Sequence, residues 1–112
     1  MNKYGNRKIT LDGHRFDSMR EAAHYQELLR RMKRGLIEGF ALQTTFVLQE
    51  KFKDATGACR AIKYIADFKV IHNDGTIEII DVKGFETAEF KIKWKMMRKK
   101  FLGTGVKLTI VK

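Results

Sequence analysis

The sequence predicts an α/β domain: a mixed central sheet flanked by helices, in the order hairpin, helix, three strands, helix, strand. Three observations predict it. Two stretches carry apolar residues at helical spacing. Between them lie three segments rich in β-branched and aromatic residues. A glycine-bounded final segment, Val106 to Val111, has the same strand character.

Residues 1–8 are polar and basic and are expected to be mobile. Ile9 to Phe16 alternates around Asp12-Gly13, a hairpin turn signal. Ser18 opens the first helix, which runs to about Arg34 and stops at Gly35. Ala22, Tyr25, Leu29, Met32 and Leu36 form its apolar stripe, with Leu28 alongside. Leu36 to Gln43 reads as a connector and Thr44 to Gln49 as a strand. Lys51 to Arg60 reads as a loop. Ala61 to Ile71 and Thr76 to Val82 are strands around the turn Asn73-Asp74-Gly75. Thr87 caps the second helix, about Ala88 to Leu102, on which Phe90, Trp94, Met97 and Phe101 recur at i, i+4, i+7 and i+11.

The 112 residues suit one domain, with no repeat or boundary. Cys59 is the single cysteine, which excludes an intramolecular disulfide and a cysteine zinc cluster, and a cytoplasmic setting is the default. No apolar run approaches the roughly 20 residues of a membrane helix, and MNKYGNRK lacks the apolar core of a secretion signal. Lys and Arg outnumber Asp and Glu by 23 to 13, a net charge of +10, which points to a polyanionic partner, nucleic acid first.

The chemistry concentrates in KYIADFKVIHNDGTIEIIDVKG, Lys63 to Gly84. A three-residue loop closing on Gly75 pairs His72 with Thr76. The same register sets Val70 against Glu78, Phe68 against Ile80 and Asp67 against Asp81. Directly opposed residues share one face with Cβ atoms about 5 Å apart. Two carboxylates that close repel unless a cation or a shared proton relieves them. Lys83, two residues past Asp81, falls on the same face, where it can orient a water or steady charge on a phosphate. Ile65, Ile71, Ile77 and Ile79 are expected on that face too. Glu21 has two readings. Ser18 to Glu21 fits a capping box, and Glu21 also shares an inward helix face with Tyr25, Leu28 and Met32.

Helical Glu21, then Ala66-Asp67, then Asp81-Val82-Lys83 resembles the PD-(D/E)XK nuclease superfamily. The closer likeness is to small phage and bacterial Holliday-junction-resolvase-like proteins, carried by DGHRFDSMREA, LQTTFVLQ, YIADF, DVKG and the basic second helix. It spans about Asp12 to Phe101, with Ala66 where the motif has proline and Asp81 where Glu is commoner. The resemblance implies a restriction-endonuclease-like core and a Mg²⁺-dependent endodeoxyribonuclease, with Mn²⁺ as a substitute. Asp67, Asp81 and the Val82 carbonyl would hold the metal, with Glu21 as a further ligand, through water or directly. Lys83 would position the attacking water, and Gln43 and Lys91 would touch the substrate. It also implies a homodimer acting on branched DNA, in the host cytoplasm if phage-encoded. Lys91, Lys93, Lys95, Arg98, Lys99 and Lys100, with Arg20, Arg30, Arg31 and Arg34, would hold phosphates. Two alternatives use the same surface: a non-catalytic nucleic-acid-binding protein, and a DNA-cleaving subunit of a transposition or restriction system.

Overall fold

The protein is described by a computed structural model over residues 8–112. The mobility expected of the N-terminus falls almost wholly on residues 1–7, which lie outside the described residues. The element order is β1 (Ile9–Leu11), β2 (His14–Phe16), α1 (Met19–Lys33), β3 (Gly39–Gln49), β4 (Phe52–Asp54), β5 (Gly57–Cys59), β6 (Ile62–Ile71), β7 (Ile77–Val82), α2 (Ala88–Lys100) and β8 (Lys107–Val111). The main sheet runs β3-β6-β7-β8. Its first two pairings are antiparallel, and β7 pairs with β8 in parallel because α2 carries the chain back across the sheet. The predicted mixed α/β architecture is therefore present.

Two differences have local causes. β3 begins at Gly39, so most of the expected connector is strand, paired from Gly39↔Ile71 onward. The expected loop over 51–60 contains a small hairpin, β4 with β5, around a turn in which Asp54 Oδ1 accepts the Thr56 amide at 2.9 Å. Strands of three residues are too short to show an alternation.

Both helices are capped as their sequences suggest. Ser18 Oγ accepts the Glu21 amide at 3.1 Å, and Thr87 Oγ1 accepts the Phe90 amide at 3.0 Å. Ala22, Tyr25 and Leu28 are buried on α1, whereas Met32 and Leu36 are exposed, Leu36 lying beyond the cap. Phe90 and Met97 are the buried residues of α2.

The core divides into two layers. Ala22, Tyr25 and Leu28 of α1 pack with Phe68, Val70, Ile80 and Val82. Phe90 and Met97 of α2 pack with Tyr64, Ala66 and Ile79. Ile79 and Ile80 are neighbours on one strand, so the two helices cover opposite faces of the sheet. Within β6, however, even-numbered residues serve both layers: Tyr64 and Ala66 join α2, and Phe68 and Val70 join α1. β3 does the same, with Phe46 and Leu48 toward α2 and Phe40 and Leu42 toward α1. The change of face falls at Asp67 and at Gln43, which has a left-handed backbone (φ 53). It also corrects the isoleucine expectation. Ile79 is buried and Ile77 half-buried, but Ile65 and Ile71 are exposed.

Candidate metal and active site

The turn that sets the site forms as its residues dictate. The Gly75 amide donates to the His72 carbonyl at 2.9 Å, and Gly75 takes φ +87, open to glycine without strain. The register that follows runs from Ile71↔Ile77 to Phe68↔Ile80. The ladder ends there; continued by one pair, the same register sets Asp67 opposite Asp81. On its other side, Asp67 stands across from Gln43, because Leu42 pairs with Phe68 and Thr44 with Ala66. In strand register, Gln43, Asp67 and Asp81 thus occupy one row of positions across three strands that lie about 5 Å apart.

The β6–β7 ladder ends where that row begins. Asp67 Oδ2 takes the place of a backbone partner and accepts the Val82 amide at 2.8 Å. Burial, and then the charge of Asp81, raise the Asp67 carboxyl far above the ordinary aspartate value, to about 7. Asp81 is 1 % exposed. Its Oδ2 accepts a hydrogen bond from the Tyr64 hydroxyl. Its Oδ1 lies 3.3 Å from Lys83 Nζ, poorly aligned for a hydrogen bond, and so is a buried carboxylate oxygen with no hydrogen-bond partner. Lys83 Nζ also stands over the Phe90 ring, 4.8 Å from its centroid, which steers the ammonium without neutralising it.

Glu21 serves both of its readings in part. Its amide is capped by Ser18, while its carboxyl is buried. Burial first, then the charges of Asp17 and Asp81, raise that carboxyl, with Lys83 acting against them. It therefore belongs to the electrostatic field of the acid pair. Among the described residues, no three of His, Cys, Asp and Glu converge tightly enough to ligate one ion.

This donor set fits a hard cation. Mg²⁺ takes one or two carboxylates and completes its shell with water and substrate phosphate. An unpaired buried oxygen on Asp81 and a carboxyl on Asp67 strained by like charge are what such an ion would relieve.

Tyr64 was not among the residues the sequence singles out. It lies three residues before Asp67, so strict alternation puts it on the opposite face from both aspartates. Only the change of face at Asp67 brings its hydroxyl to Asp81. Its role predicts a stability effect. Tyr64→Phe leaves Asp81 Oδ2 buried without its donor, which costs about 1–3 kcal/mol. Thermal unfolding in EDTA is expected to show it, and an unchanged midpoint would mean that the bond contributes nothing.

The family description that matches the chain is "Protein of unknown function (DUF1064)", over residues 1–112. The chain belongs to the DUF1064 family. A search of curated proteins and one of solved structures found no match.

The basic residues of this DUF1064 chain are spread over both helices. The Arg20 guanidinium lies against Gly84, the residue after Lys83, where an added Cβ would meet Nη1 at 3.3 Å. Lys91 is exposed in the first turn of α2, whose other end carries Arg98, Lys99 and Lys100. Lys95 is exposed, and Lys93 pairs with Glu89 at 3.3 Å. Arg30 and Arg31 share Glu27, which offsets part of their charge. Arg34 caps the end of α1, about 20 Å from Glu21 along the helix axis. The α1 and α2 sets lie on opposite faces of the sheet. No helix of the described residues is long and apolar enough to cross a membrane.

Proposed function

We propose that this protein is a Mg²⁺-dependent endodeoxyribonuclease that hydrolyses DNA phosphodiesters. The observation that carries it is the charge coupling of Asp67 to the buried, incompletely hydrogen-bonded Asp81, with Lys83 Nζ 3.3 Å from Asp81 Oδ1. Asp67, Asp81 and the Val82 carbonyl would hold the ion. Bound there, Mg²⁺ would supply charge neutralisation at the scissile phosphate and would acidify water. Tyr64 fixes the Asp81 carboxylate by holding one oxygen and leaving the other free. The Val82 amide does the same for Asp67. Lys83, held between Asp81 and the Phe90 ring, orients the attacking water and stabilises negative charge that develops on the phosphate. Glu21 adds negative potential at the rim and can bind a water of the ion's outer shell. Arg20, beside Gly84, and the exposed Lys91 of α2 supply phosphate contacts.

The same reading extends to branched DNA as substrate, a homodimer as the working unit and the cytoplasm of the host cell as its setting. It is supported by the motif resemblance of Glu21, Asp67, Asp81 and Lys83 and by the net charge of +10. The test offers wild-type protein four-way junction, linear duplex and single-stranded DNA, with Mg²⁺ or with EDTA. Cleavage of at least one substrate with Mg²⁺ and of none in EDTA is expected. Binding without cleavage under Mg²⁺ and Mn²⁺ would replace the enzyme with a non-catalytic nucleic-acid binder.

A further inference from the structure

Helix α2 does not cover its face of the sheet evenly. Its C-cap residue, Phe101, reaches Phe46 of β3, the two rings meeting edge-on at 5.5 Å. β8 lies at the opposite margin of the sheet. Between α2 and β8 this leaves a groove of about 660 Å³. Trp94, Phe101 and Leu102 form one wall, and Leu108 and Ile110 of β8 line the other. These side chains are within reach of a partner: Leu102 is 73 % exposed, and the other four are half-buried. The wall is also fixed, because Trp94 stacks on Phe90 with ring centroids 5.5 Å apart.

β8 supplies a second feature at the same place. It is an outer strand of the main sheet and pairs only with β7 among the described residues. The Val111 carbonyl accepts the Lys83 amide at 2.8 Å, so Lys107, Thr109 and Val111 turn their backbone groups toward β7. The N–H and C=O groups of Leu108 and Ile110 then point outward, away from the sheet. The ladder runs from Glu78↔Lys107 to Val82↔Val111 without a register shift. A regular edge with free backbone groups is a template for one more strand. The two residues that offer those groups are the two whose side chains line the groove. A strand added here lies about 5 Å from β8, and every second side chain projects on the α2 face, toward the groove.

Charge selects the occupant. Arg98 lines the groove and forms no ion pair among the described residues, whereas Glu86, the acid in the lining, is held by Lys112. Lys95, one turn before Arg98, and Lys107, at the start of β8, are exposed. A second copy of the chain would set KLTIVK against KLTIVK, with lysines from both and no acid. DNA matches the charge but has no strand backbone for Leu108 and Ile110 and no aliphatic side chains for the groove. An extended peptide in which acidic residues alternate with apolar ones meets all three features, as in other cases of strand addition. We infer that the β8 edge and its groove dock an extended segment of an acidic protein partner. Its apolar side chains enter the groove, and its carboxylates meet Arg98 and Lys107. The inference stands independently of the nuclease reading.

Trp94 is the only tryptophan of the chain, so its emission reports on the groove. The probe is a blocked peptide of alternating leucine and aspartate, titrated against the full chain in EDTA. A saturable shift of Trp94 emission to shorter wavelength is expected. A peptide of the same composition with its leucines and aspartates in separate blocks, and one with lysine for aspartate, should each bind about tenfold more weakly or worse. Leu108→Pro removes an outward N–H and leaves the ladder to β7 intact, since proline is tolerated at an edge on that side. Arg98→Glu inverts the charge on an exposed helix surface and is the variant to rely on if Leu108→Pro does not fold. Each should weaken the alternating peptide by about tenfold or more. The absence of a saturable shift, equal binding of the blockwise peptide, or unchanged affinity in Arg98→Glu overturns the inference. So does a shift given by an oligonucleotide and not by the peptide, which makes DNA the occupant, or one that appears on concentrating the protein alone, which makes it a second copy.

Discussion

Asp81→Ala is expected to abolish Mg²⁺-dependent DNA cleavage, with a rate loss on the order of 10³-fold or more, while DNA binding in EDTA stays within about threefold of wild type or tightens. The reason is positional. Asp81 is the most buried member of the acid pair, and its Oδ1 is the oxygen left without a hydrogen-bond partner. Removing it takes away a metal ligand and the anchor that holds Lys83. Binding should persist because the phosphate contacts belong to exposed residues such as Arg20 and Lys91. Removing a negative charge near the phosphodiester also lessens repulsion. Single-turnover cleavage and a separate binding titration check the two halves. A variant that cuts as fast as wild type would remove Asp81 from the chemistry.

Asp67→Asn is expected to change the pH dependence of stability. Burial and the charge of Asp81 raise the Asp67 carboxyl to about 7, and burial, Asp17 and Asp81 raise that of Glu21. A folded-state value above the unfolded one means that the folded form holds its proton more tightly. These groups contribute stability in full below about pH 4, the ordinary carboxylate range, and that contribution is lost as pH rises through the folded values. His24 works the other way. Burial lowers its imidazole, so its contribution grows as pH rises toward about 6.5 and is then complete. The readout is therefore the difference between wild type and Asp67→Asn, which cancels His24.

In EDTA at pH 8 the variant should melt above wild type by roughly 4 °C, the shift that about 1 kcal/mol gives in a domain of this size. At pH 5 the two should converge. Asparagine still offers an oxygen to the Val82 amide, so the hydrogen bond is retained. Mg²⁺ should raise the midpoint of wild type at pH 8, since it binds only the folded form, and should have little effect on the variant. Equal midpoints at both pH values would show that the acid pair is not strained.

The parts of this fold legible in the sequence share one property: each depends on residues close together in the chain. Asn73-Asp74-Gly75 is a short turn with one geometry, and from it the pairing of Phe68 with Ile80 follows. Ser18 and Thr87 are local caps. The start of β3 at Gly39 was hidden because it pairs with Ile71, more than thirty residues away. Tyr64 was hidden for a deeper reason. Alternation along β6 assigns it to the wrong face, and the half-turn that corrects this is made jointly with Gln43 on another strand. Lys83 was legible as a partner of Asp81 through a two-residue spacing. The side of the sheet on which each basic helix lies was not legible, because helical periodicity says which face of a helix is polar but not which face of the sheet the helix covers.

The left-handed residue in β3 has another consequence, for association. β3 is an outer strand of the main sheet and pairs on one side only among the described residues. It runs eleven residues, GFALQTTFVLQ, without a charge or a proline, the composition most prone to recruit a strand from another molecule. Its outer rim is not a continuous template. Gln43 rotates it after four residues, and a register shift between Val47 and Gln49 breaks it again near the far end. An incoming strand finds two short runs facing different ways, each near the lower limit for stable pairing. Backbone irregularity here guards against aggregation, a task that charged side chains perform on most exposed sheet edges.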